Sequence, residues 1–241
     1  MIRWVSAVVD RPARKLDVAV EFWAAVSGSQ AHPRDVAGLA GLHSDRGDDY
    51  LRVQGVLDGP GGAHLDFAVD DEREFAARAI DAGAAVVDDH GSRLVLASPA
   101  GLPFCVNPWK GEHHRPEPFA VPGGPLSRVH QVCVDVAPFR YGREVGFWTA
   151  LTGWSLETTG LPTFSRLYPP SPIPVRMLLQ RLDETRPTSA HMDISTDDIP
   201  AMRAWHESLG ASFVGEWPCW TTLRDPAGVA YCLTSGDPGT D

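Results

Sequence analysis

The sequence predicts an α+β fold in which four β-α-β-β-β modules pair into two cup-shaped, mixed-sheet half-barrels with the helices outside. Three observations support this prediction. The chain contains a tandem repeat, each copy divides into two similar halves, and each half has one helix-like run flanked by strand-like runs. One helix followed by hairpin-like returns is typical of a mixed sheet that carries helices on a single face. The other face has no cover from its own module, so two modules should pair to close a cup.

The repeat relates residues 64–107 to residues 191–234 at a constant offset of 127, without a gap. Thirteen of the forty-four aligned positions are identical. Three identical pairs carry reactive side chains: His64 and His191, Asp66 and Asp193, and Cys105 and Cys232. Internal similarity of this length predicts a duplicated fold.

A segment rich in Pro and Gly separates the two copies. Residues 109–125 show neither a two-residue nor a 3.6-residue hydrophobic period, as expected of a linker. We therefore predict a first domain over residues 1–117, a linker over residues 118–125 and a second domain over residues 126–241.

The first half of each copy begins with an apolar, strand-like run, at residues 4–9 and 129–136. In copy one a helix should follow, because apolar residues recur at helical spacing. These residues are Leu16, Ala19, Val20, Trp23 and Val26. Gly28 comes directly after them and is the expected C-cap. Further along, a solvated turn is predicted by Asp45, Asp48 and Asp49.

The second half of copy one repeats this plan. Residues 64–69 alternate in polarity, which predicts a strand. Asp70 and Asp71 offer an N-cap for the next helix, and Gly83 marks the end of that helix. The apolar stripe of the helix comprises Phe75, Ala79 and Ile80.

Composition limits the partners of the chain. The net charge of −10 would repel a polyanion, so we expect no nucleic acid partner. No apolar run approaches the roughly 18–20 residues that cross a bilayer, and the first residues lack a signal pattern, so we expect a cytoplasmic protein without a membrane partner. The four cysteines form no CxxC pair, which favours reduced thiols.

The motifs of the two copies resemble the vicinal oxygen chelate superfamily. They read HLDFAVDD and SPAGLPFCV in copy one, and HMDISTDD and DPAGVAYCL in copy two. The superfamily includes glyoxalase I, bleomycin and fosfomycin resistance proteins, and extradiol dioxygenases. The DPxG turn before a strand ending in Cys-Leu or Cys-Val is most similar to the glyoxalase-like domain branch. The fold is shared by enzymes and by drug-binding proteins that catalyse nothing, so the resemblance leaves the activity open.

The resemblance also implies where a divalent metal would bind. In the superfamily the ligands are a residue on the first strand, a His that opens the fifth strand and a Glu near the end of the eighth strand. His64 and His191 match the fifth-strand His, but the Glu position falls on Cys105 and Cys232. In copy two the first-strand position is either Gln131 or His130, because a slip of one residue changes the face of a strand.

These matches leave the chemistry of the cups open. In copy two, Gln131 or His130 together with His191 and Cys232 would suit zinc or ferrous iron, although no cofactor is certain. Alternatively, Cys232 is a nucleophile with His191 as its base, or the two are simply a hydrogen-bonded imidazole and a buried thiol. Copy one offers a second cup with only His64 and Cys105 as matched ligands.

Other side chains are candidates for binding a ligand. Strand alternation places Asp66 and Asp193 on the same face as the neighbouring histidines. Gln54 and Gln180 occupy matching places, where they either face the cups or end an edge strand. Copy two has an excess of aromatic residues, which favours it as the working cup: Phe164, Tyr168, Trp217 and Trp220.

Together these observations predict a protein that binds a small apolar or aromatic molecule in a sheet cup. It could be a lyase or isomerase that uses His191 as base or metal ligand. The alternative is sequestration of a compound without catalysis. The absent Glu argues against true glyoxalase I or extradiol dioxygenase activity. Four modules in one chain allow a monomer, and a homodimer is the other alternative.

Overall fold

The computed structural model describes residues 1–32, 38–89, 91, 93–121, 124–158 and 160–239. Copy one comprises β1 (Ile2–Pro12), a 3-10 turn (Ala13–Lys15), α1 (Leu16–Ser27), β2 (Gln30–Ala31), β3 (Leu39–His43), β4 (Leu51–Val56), β5 (Gly62–Val69), α2 (Glu72–Asp81), β6 (Ala85–Asp89), β7 (Leu94–Ala97) and β8 (Pro103–Pro108). A short strand, β9 (Phe119–Ala120), follows.

Copy two has the same succession of elements. It comprises β10 (Leu126–Val136), α3 (Pro138–Thr152), β11 (Ser155–Thr158), β12 (Phe164–Tyr168), β13 (Arg176–Arg181), β14 (Ser189–Thr196), α4 (Ile199–Ser208), β15 (Ser212–Trp217), β16 (Trp220–Arg224) and β17 (Ala230–Ser235). Both copies therefore consist of two β-α-β-β-β modules, as the repeat predicts. None of the helices among the described residues has the length and apolar character that a membrane span requires.

Each copy forms one mixed sheet. The strand order is β2-β3-β4-β1-β5-β8-β7-β6 in copy one and β11-β12-β13-β10-β14-β17-β16-β15 in copy two, where β9 also pairs with β10. β5 runs parallel to β8, and β14 runs parallel to β17, whereas the hairpin strands are antiparallel. The predicted α+β class with two cup-like mixed sheets is confirmed, and so is the duplication.

Local signals define the helix ends. Gly28 and Gly153 follow α1 and α3 in the left-handed conformation, with φ of 60° and 67°, which glycine adopts without a steric penalty. The side chain of Asp71 accepts a hydrogen bond from the backbone N–H of Glu74 at 2.8 Å and caps α2. The predicted stripe of α1 is buried, but Ile80 on α2 is 44% exposed, so its assignment to the apolar stripe is wrong.

The chain forms two compact units. The first contains residues 1–7, 64–113 and 132–190, and the second contains residues 8–63, 114–131 and 191–241. Each unit thus takes most of one module from each copy. The predicted domain boundaries, which follow the repeat, stay a prediction.

The first unit has an aromatic core around Trp148. Phe67 stacks on this indole at a centroid distance of 5.9 Å, and Phe104 meets its ring plane edge-on at 5.1 Å. The indole N–H donates to Glu144 Oε1 at 2.8 Å, and the backbone N–H of Ala100 donates to Glu144 Oε2 at 2.9 Å. Burial raises the pKa of Glu144 above its ordinary value. Trp148 on α3 therefore packs against β5 and β8 through these two phenylalanines.

The second unit has a polar network in its core. Arg11 Nε forms a buried ion pair with Asp225 Oδ2, which also accepts from the indole N–H of Trp23 at 2.9 Å. Nearby, His206 Nδ1 lies 2.7 Å from the hydroxyl of Tyr231, and burial lowers the pKa of His206 to about 3. Buried polar groups of this kind cost free energy unless they are paired. The hydrogen bonds pair Arg11 Nε and His206 Nδ1, whereas Arg11 Nη2 and His206 Nε2 are buried without a hydrogen-bond partner among the described residues.

We expect His206 to make the stability pH-dependent. Its pKa lies below the ordinary value of 6.5, so below about pH 6.5 the unfolded state gains a proton that the folded state does not bind. Stability from this group is complete above pH 6.5 and declines as the pH falls toward 3, by about 2 kcal/mol between pH 6.5 and 5. In urea unfolding, His206→Gln should remove this part of the decline in the free energy of unfolding with falling pH. If the free energy of the variant depends on pH as that of the wild type does, the assignment to His206 is contradicted.

Candidate functional site

Three strands of the second unit place polar side chains on one face of the copy-two sheet. Asp193 on β14 pairs with Cys232 on β17, and Cys232 pairs with Thr222 on β16. Residues directly opposite each other on neighbouring strands point to the same face, as do residues two apart on one strand. His191 therefore shares this face with Asp193 and Cys232.

The three potential ligands of this face form a close cluster. His191 Nε2 lies 3.4 Å from Asp193 Oδ1, and the ligand atoms of His191, Asp193 and Cys232 all lie within 4.8 Å of one another. The His191 side chain is 18% exposed and that of Asp193 is 4% exposed. The histidine is thus the member of the cluster that is most open to a small molecule. We call these three residues the copy-two cluster.

Neighbouring polar side chains hold the copy-two cluster in place. Gln131 Nε2 donates to Asp193 Oδ2 at 2.6 Å, and the hydroxyl of Thr222 lies 3.3 Å from Cys232 Sγ. Hydrogen bonds from a second layer orient ligand side chains and adjust their basicity. Sequence reasoning missed Thr222, although the alternation of β16 opposite Cys232 was a signal that could have found it.

The structure does not favour one of the two candidates for the first-strand position of copy two. Gln131 reaches Asp193, whereas His130 Nε2 lies 3.2 Å from the hydroxyl of Thr234. Thr234 is two residues beyond Cys232 on β17 and lies on the same face. Both candidates therefore contact side chains on the sheet face that carries the copy-two cluster. Strict alternation along β10 would instead place these two neighbouring residues on opposite faces.

The structure also changes the expectation about a carboxylate. The matched position on the last strand is Cys232, as the sequence shows, and there is no Glu there. Asp193 instead brings a carboxylate into the same cluster from β14. The set is therefore imidazole, carboxylate and thiol rather than imidazole and thiol alone.

Two tryptophans lie on the same face as the copy-two cluster. Trp217 and Trp220 are cross-strand partners on β15 and β16, and their rings stack at a centroid distance of 5.4 Å with an interplanar angle of 11°. Trp220 is two residues from Thr222 and so shares the face of Cys232. Trp217 is 44% exposed, so this side of the stack is accessible to solvent. This stack is a flat apolar surface beside polar groups.

The remaining candidates are on other strands. In the first unit, Phe164 pairs with Gln180, whose Oε1 accepts from Cys133 Sγ at 3.8 Å, and Tyr168 lies under the guanidinium of Arg176 at 5.1 Å. Gln54 lies opposite Leu39 in the second unit. Because β4 and β13 each have a neighbour on both sides, the alternative that these glutamines end edge strands is wrong.

Copy one repeats the cluster with one difference. His64 Nε2 lies 3.4 Å from Asp66 Oδ1, and Asp66 pairs with Cys105. The ligand atoms of the three again lie within 4.8 Å of one another. Here, however, Arg93 Nη2 lies 3.2 Å from Cys105 Sγ. At the offset of 127, Arg93 corresponds to Trp220, so a guanidinium stands where copy two has an indole.

Comparison with known proteins defines the class. The fold is that of a tandem-duplicated protein of the vicinal oxygen chelate superfamily. The model of the glyoxalase-like domain family matches residues 6–107 and again residues 131–234. The chain belongs to this family and contains two copies of its domain. No curated protein gives a significant sequence match.

Several solved structures share the fold. One is 2,2',3-trihydroxybiphenyl 1,2-dioxygenase from Sphingomonas wittichii, with 16% identity, 98% of this chain and 91% of that chain covered, and a TM-score of 0.65. Another is an Mn(II)-bound glyoxalase from Novosphingobium aromaticivorans, with 16% identity, coverages of 97% and 81%, and a TM-score of 0.64. A third is homoprotocatechuate 2,3-dioxygenase from Brevibacterium fuscum, with 15% identity, coverages of 98% and 81%, and a TM-score of 0.62.

Proposed function

We propose that copy two is an enzyme site for a small aromatic molecule, in which His191, Asp193 and Cys232 hold a divalent metal, zinc or ferrous iron. The observation that carries this proposal is the copy-two cluster, whose three ligand atoms lie within 4.8 Å of one another on the same sheet face as the tryptophan stack. The Mn(II)-bound state of one structural neighbour, the glyoxalase from Novosphingobium aromaticivorans, supports it. We further propose a cytoplasmic monomer or homodimer without a nucleic acid partner, in keeping with the net charge.

The donor set fits such a metal. Ligands that bind one zinc ion at about 2.0–2.2 Å lie roughly 3.4 Å apart when the geometry is tetrahedral. The separation of 3.4 Å between His191 Nε2 and Asp193 Oδ1 matches this distance. Imidazole and thiolate favour zinc or iron over magnesium, which prefers oxygen ligands. Three protein ligands leave a position for a substrate oxygen.

The side chains of the chain have separate tasks in this proposal. The amide of Gln131 fixes the carboxylate of Asp193 through the 2.6 Å hydrogen bond, and the Trp217–Trp220 stack binds a flat ring on the open side of the face. The metal, when bound, would act as a Lewis acid on an oxygen of the substrate. The reaction class that suits this arrangement is proton transfer, elimination or isomerisation of a small aromatic or apolar compound.

Copy one does not serve as a second metal site in this proposal. Arg93 already places a positive charge at Cys105, and a divalent cation there would be repelled by it. The buried His64 and Asp66 are 6% exposed, so a substrate would reach them less easily than His191. Copy one then completes the fold while copy two performs the chemistry.

We expect Trp220→Ala to weaken ligand binding. Loss of the ring removes half of the stack, and an aromatic pair contributes about 0.5–1.5 kcal/mol beyond the buried area, so the affinity should fall by roughly tenfold. The measurement is quenching of tryptophan fluorescence by a panel of aromatic acids and phenols. Trp154→Phe, a change in the core of the other unit, is the matched control. Equal affinity in the Trp220 variant and the wild type would contradict the proposed platform.

The second candidate is sequestration without catalysis. The exposure of Trp217 favours it, because an open stack can bind a ring without any reacting group. Elemental analysis separates the two candidates. Protein that holds no metal after dialysis against a weak chelator, both as purified and after reconstitution, and still binds aromatic compounds would support sequestration.

A further inference from the structure

We propose a second transition-metal site on the surface of the second unit, formed by His32, His43 and Asp49. His43 Nδ1 lies 3.0 Å from Asp49 Oδ1, and His32 Nε2 lies 3.5 Å from Asp49 Oδ2. The ligand atoms of all three lie within 4.8 Å of one another. The site is independent of the copy-two cluster and of the proposed function.

Backbone pairing brings the two histidines together. In the short ladder between β2 and β3, Gln30 pairs with His43, and the backbone N–H of His32 donates to the carbonyl of Gly41 at 2.9 Å. The two imidazole rings consequently lie 5.0 Å apart, centroid to centroid. The last residue of β3 and the residue that follows β2 thus present one imidazole each to the same point on the surface.

The turn after β3 holds the carboxylate in position. The backbone N–H of Ser44 donates to Asp49 Oδ1 at 3.1 Å. Arg46 anchors the same turn, since its guanidinium donates to the carbonyls of Ser27 and Gly28 at 2.9 Å each. A carboxylate that is oriented by such bonds needs little ordering when a cation binds, unlike the acidic groups of a free loop. This gives the predicted solvated turn a specific role.

The chemistry of the three groups selects the ion. Two neutral imidazoles with one carboxylate suit zinc, nickel, copper or iron rather than calcium or magnesium. The three side chains are 49%, 48% and 43% exposed, so an ion can enter directly and water can complete its coordination. Exposure also means that none of the three is needed for core packing, and single substitutions should leave the fold intact.

The test is a titration of the full chain with zinc alone. Metal-depleted His191→Ala protein is used as the background, so that the copy-two cluster does not contribute, and isothermal titration calorimetry records the remaining binding. We expect about one equivalent to bind, with at least about a tenfold loss of affinity on adding His32→Ala or His43→Ala and a similar loss with Asp49→Asn.

His114→Ala, which removes another exposed histidine of the same unit, is the matched control and should bind zinc like the background protein. Thermal unfolding checks that each variant is folded. The proposal is overturned if the background binds no zinc, or if the His32, His43 and His114 variants all bind it equally. Because the background already lacks His191, failure of this site and failure of the copy-two metal site are separate results.

Discussion

His191→Ala should reduce the metal content of the purified protein from about one equivalent per chain to nearly none. The substitution removes the imidazole of the copy-two cluster, and a carboxylate with a thiol is too small a ligand set for tight binding. The measurement is elemental analysis for zinc and iron after dialysis against a weak chelator, which strips ions from exposed surface sites. Enzyme activity need not be known for this experiment.

The matched control is the equivalent change in copy one. His64→Ala removes a histidine with the same 3.4 Å contact to an aspartate, but Arg93 stands beside the thiol of that copy. We therefore expect His64→Ala to keep its metal. Metal retained by His191→Ala, or lost equally from both variants, would contradict the assignment of the site to copy two.

The second large effect is expected at Asp225, in the core of the second unit. Asp225→Asn should lower the free energy of unfolding by about 3–5 kcal/mol, because it leaves the charge of Arg11 buried without its partner. The Arg11 side chain is 1% exposed, and burial lowers its pKa despite the neighbouring carboxylate. Its other hydrogen bonds go to the carbonyls of Asp10 and Gly62, and the carboxylate of Asp10 interacts with the guanidinium less strongly than that of Asp225.

Urea unfolding at pH 7 measures this effect. The control is Asp70→Asn, which breaks an ion pair with Arg3 whose side chains are more than 40% exposed, and exposed pairs contribute about 0–1 kcal/mol. A loss below about 1 kcal/mol for Asp225→Asn would show that the buried pair is not the stabilising unit described here.

Much of the fold could be predicted because the repeat fixes it. The offset of 127 places matching strands in both copies, and the sheets indeed have corresponding strand orders. Capping residues also predicted helix ends, namely Gly28 at the end of α1 and Asp71 at the start of α2. Such signals lie within a few residues of the feature they specify.

Contacts between distant parts of the chain could not be predicted in this way. Arg11 and Asp225 are 214 residues apart, and nothing in either neighbourhood indicates the other. In copy one the position that corresponds to Asp225 is Ser98, so the repeat does not indicate that this position carries a charge.

The candidate site was predicted in part for a similar reason. Strand alternation placed Asp193 on the same face as His191. The comparison with the superfamily's metal ligands, however, looked for a carboxylate only at the Glu position of the eighth strand, where this chain has Cys232. How close these three side chains come depends on the pairing of β14 with β17, which only the assembled sheet provides. The stacking of Trp217 on Trp220 depends likewise on the pairing of β15 with β16.

Absorption spectroscopy of the cobalt-substituted protein tests the copy-two metal site most directly. Cobalt(II) bound to a thiolate shows a sulfur-to-metal charge-transfer band, which would report whether Cys232 is a ligand. We expect the band in the wild type and in Cys105→Ser, and its loss in Cys232→Ser. A wild type without the band, or a band that disappears with Cys105→Ser instead, would contradict a metal held by His191, Asp193 and Cys232.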